Sequence, residues 1–216
     1  MADLIVNRGL VEPGTFWCFQ GTLGSGKTLS MSICGALASF TQPVYANYET
    51  SFARPIESIA HLFQLRDAVL LLDEFQSMLD SREFKKNVEL TQWILIVRKL
   101  GLSIFYTTQF LGQVDLRVRH VTERVFCCQK SRYFGQKASK ITRVDWAGEG
   151  GRINSSFVVL HQEALYRLYN TRDYKVKLTS TGRESTFVVP ENMQLEQANA
   201  PATAARAAAS WLDFGD

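Results

Sequence analysis

Residues 21–28 read G-T-L-G-S-G-K-T and fill every fixed position of the pattern G-x-x-x-x-G-K-[ST]. Directly before them stands the apolar run Thr15-Phe16-Trp17-Cys18-Phe19, and a helical pattern follows with Leu29, Ile33, Leu37 and Phe40 in phase. Strand, glycine-rich turn and helix in that order make a phosphate-binding loop rather than a Gly/Ser turn that happens to carry a lysine. Such a loop wraps backbone N–H groups around an anion, so Gly21, Gly24 and Gly26 stand where a side chain would obstruct approach. Thr22, Leu23, Ser25 and Leu29 complete the nucleotide-binding stretch. Lys27 is placed to reach the outer phosphates, Thr28 to offer its hydroxyl to Mg²⁺, and the helix N-terminus to face the negative charge.

Outward from the loop, strand and helix alternate. Val44 to Tyr48 reads as a short strand, and Ile56 to Leu65 as a helix entered after Pro55. Ala68-Val69-Leu70-Leu71-Leu72-Asp73-Glu74 is a continuous apolar run ending in two carboxylates, the signature of a buried parallel strand whose C-terminal end opens into a site. Asp73 is placed to share a metal with Thr28, and Glu74 to polarise a water. A helix is expected over Asn87 to Leu100, stopped by Gly101, then a strand over Leu102 to Tyr106. The next residues, Thr107-Thr108-Gln109, emerge beside the acidic pair. Gln109 reads either as a sensor of the terminal phosphate or as an amide capping a helix that starts near Val114. A further strand covers Arg124 to Gln129. The fold class expected is α/β, a three-layer P-loop NTPase with a mainly parallel sheet and a short C-terminal appendage.

Composition sets the outer limits. The chain has 216 residues, enough for one full core, and 46% hydrophobic with 21% charged residues is that of an ordinary soluble domain. A net charge of +3 is too small to imply a polyanion partner unless it is clustered. It is clustered: from Arg117 to Arg143 eight basic residues face the single acid Glu123. Arg132, Lys137, Lys140 and Arg143 are the candidate DNA contacts in this segment, the other reading being a solvated face. Cys18, Cys34, Cys127 and Cys128 lack metal spacing and read as small hydrophobes. No apolar run is long enough for a membrane span, so a soluble intracellular protein is expected. Residues 1–189 are read as one domain and 190–216 as an alanine-rich tail that either frays or docks through Trp211 and Phe214.

The run of motifs, G-T-L-G-S-G-K-T-L, then L-L-L-D-E-F-Q-S-M-L-D-S-R, then W-I-L-I-V-R-K-L-G-L-S-I-F-Y-T-T-Q and R-V-F-C-C-Q-K, resembles the ATPase domain of the zonula occludens toxin-like family. Filamentous phage assembly proteins belong to that family. It also resembles small genome-packaging ATPases of viruses, within the wider FtsK/HerA class. The resemblance spans about residues 15–130. It implies ATP and Mg²⁺ as cofactors, a homo-oligomeric ring of usually six subunits, and DNA as the translocated partner. It assigns Lys27 and Thr28 to the loop, Asp73 to the metal, Glu74 to water activation and Gln109 to the sensor. Arg98 is implied as an arginine supplied to the neighbouring subunit's nucleotide, with Arg117, Arg119 and Arg124 as substitutes.

Family members from filamentous phages carry a transmembrane helix after this domain, and this sequence shows none. The reading preferred on that ground is a viral genome-packaging motor that meets capsid vertex or portal proteins, in the host cytoplasm and with the virion. The alternative is an assembly and extrusion ATPase that works through a membrane partner. A small-molecule kinase and a non-hydrolysing adaptor complete the rivals.

Overall fold

In a computed structural model, residues 11–78, 92–147 and 150–170 are described. They form one eight-stranded sheet covered on both faces. Its strands are β1 (Phe16–Gln20), β2 (Val44–Ala46), β3 (Arg54–Pro55), β4 (Val69–Leu72), β5 (Ser103–Thr108), β6 (Arg124–Tyr133), β7 (Gln136–Ala147) and β8 (Gly150–Leu160). Their order is β3-β2-β4-β5-β1-β6-β7-β8, parallel from β3 through β6 and antiparallel from β6 to β8. The α/β P-loop NTPase-like fold with a mainly parallel sheet is therefore present.

Each central strand buries both faces, which is why their sequences run as unbroken apolar stretches. On one face, Trp17 stacks on Phe105 with ring centres 4.4 Å apart, and Phe19 on Phe126 at 4.7 Å. That layer is closed by helix α1 (Lys27–Ala38), every residue of which from Leu29 onward is buried. A helix buried on all sides needs small or apolar residues all round, hence its alanines, serines and Cys34. Ser30 and Ser32 satisfy their hydroxyls on the carbonyls of Gly26 and Thr28, at 2.8 and 2.7 Å. The other face is covered by α2 (Ile59–Gln64), by a helical segment at 92–96 running into the turn Val97–Leu100, and by α3 (Leu116–Val121). A last short helix, α4 (Glu163–Tyr166), places Leu165 in the α1 layer.

Several boundaries differ from the expected ones. Helix α2 begins at Ile59, not Ile56, because the Ser58 hydroxyl takes the His61 N–H at 3.0 Å and so caps it. Pro55 instead lies on the edge strand β3, where a missing N–H costs nothing. Helix α3 starts at Leu116 behind the cap Asp115, whose carboxylate accepts the Arg117 N–H at 2.8 Å. The largest difference is the run from β6 to β8. The strand expected over Arg124 to Gln129 runs on to Tyr133, and two further long antiparallel strands follow it. Phe134 and Gly135 turn the first hairpin, both with positive φ (48° and 77°), the geometry that matches strand twist. Three of the four cysteines are buried and Cys127 half-buried, as expected of small hydrophobes. Positions 87–91 of the expected helix, and the expected tail at 190–216, lie outside the described residues.

Candidate functional site

Parallel register makes the C-terminal ends of three strands level. Gln20 pairs with Thr108, and Leu72 with Tyr106, so the loop after β1, the acidic pair after β4 and Thr107 on β5 meet at one edge. The Thr28 hydroxyl is 3.1 and 3.2 Å from the two carboxylate oxygens of Asp73, although the residues are 45 apart in sequence. Asp73 is buried (3% exposed). It also accepts a short hydrogen bond from the Thr107 hydroxyl, and Thr107 in turn accepts the Glu74 N–H at 2.8 Å. Asn47 holds the Asp73 backbone from the other side: Asp73 N–H donates to its Oδ1 at 2.7 Å, and its Nδ2 donates to the Asp73 carbonyl at 3.0 Å. Glu74 has a left-handed backbone (φ 49°), which turns the chain immediately after the strand. Backbones of this kind in non-glycine residues gather at functional sites.

The phosphate loop has the close packing its glycines imply. A Cβ on Gly21 would lie 2.2 Å from the Cys128 carbonyl oxygen, and Gly26 has φ 89° as the residue before α1. Lys27 donates to the Thr22 carbonyl at 3.0 Å, across the loop. Ser25 is fully buried, and its Oγ has no hydrogen-bond partner among the described residues. Its carbonyl accepts the Ser139 hydroxyl at 2.7 Å. Because that hydroxyl has one proton and gives it to Ser25, its 2.7 Å contact with His161 Nε2 requires Nε2 to be the donor. His161 Nδ1 then accepts from the Tyr166 hydroxyl at 2.8 Å. The relay fits a neutral imidazole, and burial, with a smaller contribution from the Lys137 ammonium, lowers the His161 pKa from its ordinary value.

These residues fit a magnesium-bound polyphosphate. Thr28 and Asp73 present only hard oxygen donors. Among the described residues there is no group of three or more His, Cys, Asp or Glu able to hold a metal ion by itself. Mg²⁺ in such sites uses one or two protein oxygens and takes the rest from phosphate and water.

Other expected residues are distributed differently. Gln109 follows β5 at the same edge, exposed and without a polar contact among the described residues; the helix it could have capped uses Asp115. Arg98 lies at the opposite end of the sheet, since a Cβ on Gly14 would touch its side-chain carbons at 2.7 Å. From Gly14 to Gly21 is roughly 20 Å of extended chain, too far for an arginine to reach its own loop. Arg124 sits at that far end too, 5.1 Å over the Trp17 ring.

The candidate DNA contacts do not form one patch. Arg143 makes a bidentate pair with Asp145, at 2.6 and 2.8 Å, and so leaves the solvent-facing set. The neutralising acid stands just outside the window in which the sequence looked lopsided. Lys140 points to the sheet face opposite Arg132 and Lys137, by strand alternation. Thr107, Asn47, Ser139 and His161 were not singled out from sequence; only the position of Thr107, two residues before Gln109, carried a signal.

Residues 37–162 match the model of the family described as Zonular occludens toxin (Zot). No curated protein matches the chain. Among solved structures, the N-terminal domain of zonular occludens toxin from Neisseria meningitidis is similar at 19% identity and TM-score 0.46, over 73% of this chain and 99% of that one. The flagellar accessory protein FlaH from Methanocaldococcus jannaschii is similar at 9% and 0.46, over 68% and 85%. A KaiC-like protein from Pyrococcus horikoshii OT3 is similar at 13% and 0.48, over 75% and 95%.

Two expectations follow from the geometry. Thr107→Val removes the hydroxyl serving both Asp73 and the Glu74 N–H, and should lower stability by about 1–3 kcal/mol in urea unfolding; an unchanged midpoint would refute the linkage. His161 has a lower pKa folded than unfolded, so acid protonates the unfolded chain first. Melting temperature should hold above pH ~6.5 and fall as pH drops below it, and His161→Gln should flatten that part of the profile. A His161→Gln profile with the same slope would assign the acid loss elsewhere.

Proposed function

Because the chain belongs to the Zonular occludens toxin (Zot) family, a family of P-loop NTPases for which nucleotide and Mg²⁺ binding are general, we propose that it is an ATPase that drives phage DNA through assembly and extrusion. Membership favours this over the capsid-packaging motor expected from the sequence. The observation that carries the ATPase reading is the meeting of Thr28 and Asp73 at 3.1 Å, directly behind the phosphate loop.

In this reading the N–H groups of residues 21–28 and the Lys27 ammonium bind the phosphate chain of ATP, and Thr28 and Asp73 hold Mg²⁺. The metal, when bound, neutralises charge on the phosphates. Glu74 orients a water for in-line attack on the γ-phosphorus and takes its proton as the bond to the β-bridging oxygen breaks. Asn47 and Thr107 fix the acidic pair from behind. Gln109, at the exposed tip after β5, senses the terminal phosphate. Arg98 acts only on a neighbouring subunit's nucleotide, in a ring of subunits, since its own loop is out of reach. DNA is the translocated partner, and the working place is the cytoplasmic side of a membrane.

A small-molecule kinase has no use for a water-orienting carboxylate beside the metal ligand, and phosphate release without a phosphorylated acceptor separates the two. With ATP and Mg²⁺, Glu74→Gln should release phosphate at least ~100-fold more slowly while still binding nucleotide. Turnover within twofold of the parent would overturn the assignment. Arg98→Ala should slow turnover of the assembled protein at least ~10³-fold without changing nucleotide affinity, the lower end of what an arginine supplied in trans contributes. Parental turnover by that variant would remove Arg98 from the mechanism.

A further inference from the structure

We infer that Lys130, Arg132 and Lys137 form a second wall of the nucleotide site and grip the phosphate chain held on the loop of their own subunit. The inference rests on the nucleotide-binding reading above and names side chains that reading leaves out.

Alternation along β6 and pairing with β7 put these three cations on the sheet face that covers the loop. Phe126, Cys128, Lys130 and Arg132 share that face by the two-residue period, the first two inside the α1 layer. Lys130 is opposite Ser139, whose hydroxyl is bonded to the loop carbonyl of Ser25, and Arg132 is opposite Lys137. A Cβ on Gly24 would lie 3.4 Å from Lys130 Cε and 3.7 Å from its ammonium nitrogen. Between Gly24 and the three cations is a cavity of about 670 Å³, within the size range of small-molecule sites.

Charge gives the cavity its ligand class. Like charges directly opposite on neighbouring strands destabilise a sheet, and Arg132 and Lys137 are such a pair. Among the described residues neither Lys130 nor Arg132 has an acidic partner, in contrast to Arg143 with Asp145. The Lys137 ammonium lies 6.0 Å from the centre of the Tyr166 ring, a cation–π contact that brings no negative charge to it. An anion in the cavity offsets this repulsion, and the neighbouring loop is the place where a polyphosphate is held. Arginine supplies the bidentate geometry that phosphate oxygens accept. Lys130 reaches Gly24 itself, so the exposed cations stand beside the loop and share one cavity with it.

The test is nucleotide affinity without DNA, using ATP and ADP with Mg²⁺, for the parent chain, Lys130→Ala, Arg132→Ala and, as a charge-matched control at the far end of the sheet, Lys99→Ala. Lys130→Ala and Arg132→Ala should each weaken binding at least ~10-fold, with Lys99→Ala unchanged and no variant melting below the parent. Tight binding by the parent and equal binding by the variants would overturn the inference and leave the loop site standing. No binding by the parent would overturn the ATPase reading, and this inference with it. Mixing Lys27→Ala with Lys130→Ala subunits should restore no tight site; recovery would move Lys130 to a neighbour's nucleotide and overturn the assignment to its own loop.

Discussion

The buried carboxylate of Asp73 is the constraint to which the site is built. An ionised carboxylate taken out of water costs several kcal/mol unless donors replace the lost solvent. Here the Thr28 and Thr107 hydroxyls supply them, and Asn47 clamps the Asp73 backbone at both its N–H and its carbonyl. Each hydrogen bond to a charged group contributes about 1.5–3 kcal/mol, so two such donors are of the size needed to hold the charge in place. The consequence is geometric. The loop after β1 and the end of β4 are locked together although β5 runs between them, and β5 contributes the linking hydroxyl.

The same logic explains the three antiparallel strands. A phosphate loop is mostly backbone, with little apolar surface of its own, and its carbonyls need partners when it packs. The Ser25 carbonyl finds one in Ser139 on β7, which His161 and Tyr166 hold in turn. Cys128 on β6 presses its carbonyl against Gly21, where no side chain fits. The extension thus completes the layer over α1 and supports the loop from the side opposite Asp73. Its residues beyond 130 fall inside the stretch matched by the family, 37–162, which reaches further toward the C-terminus than the motifs had marked and starts after the phosphate loop.

What could be read in the sequence was what a contiguous motif encodes. Strand-loop-helix chemistry at 16–28 and the apolar run ending in Asp73-Glu74 each fix their residues locally, and the parallel α/β order followed from alternation. Contacts made across the sheet left no such trace. Asn47 looks like any strand end, Thr107 like a strand residue, and Ser139 and His161 like parts of a polar hairpin; register alone gives them their partners. The arrangement of the basic segment was hidden for a related reason. Counting charge along the chain ignores the two-residue period of a strand, which sends Lys140 to one face and Lys130, Arg132 and Lys137 to the other.

That separation of charge also limits what one subunit can do alone. The sheet has cations at both ends: Lys27, Lys130, Arg132 and Lys137 around the loop, Arg98 and Arg124 at the start of the parallel strands. Arg124 is engaged by the Trp17 ring and, at 3.8 Å, by Asp145, so it is anchored in its own fold. Arg98 is exposed, on the turn that Gly101 closes with φ 68°. A rigid sheet does not bend to bring its ends together. Any action of Arg98 on a nucleotide therefore requires a second copy of the chain whose far end meets the first copy's loop, which is the head-to-tail contact from which a ring is built.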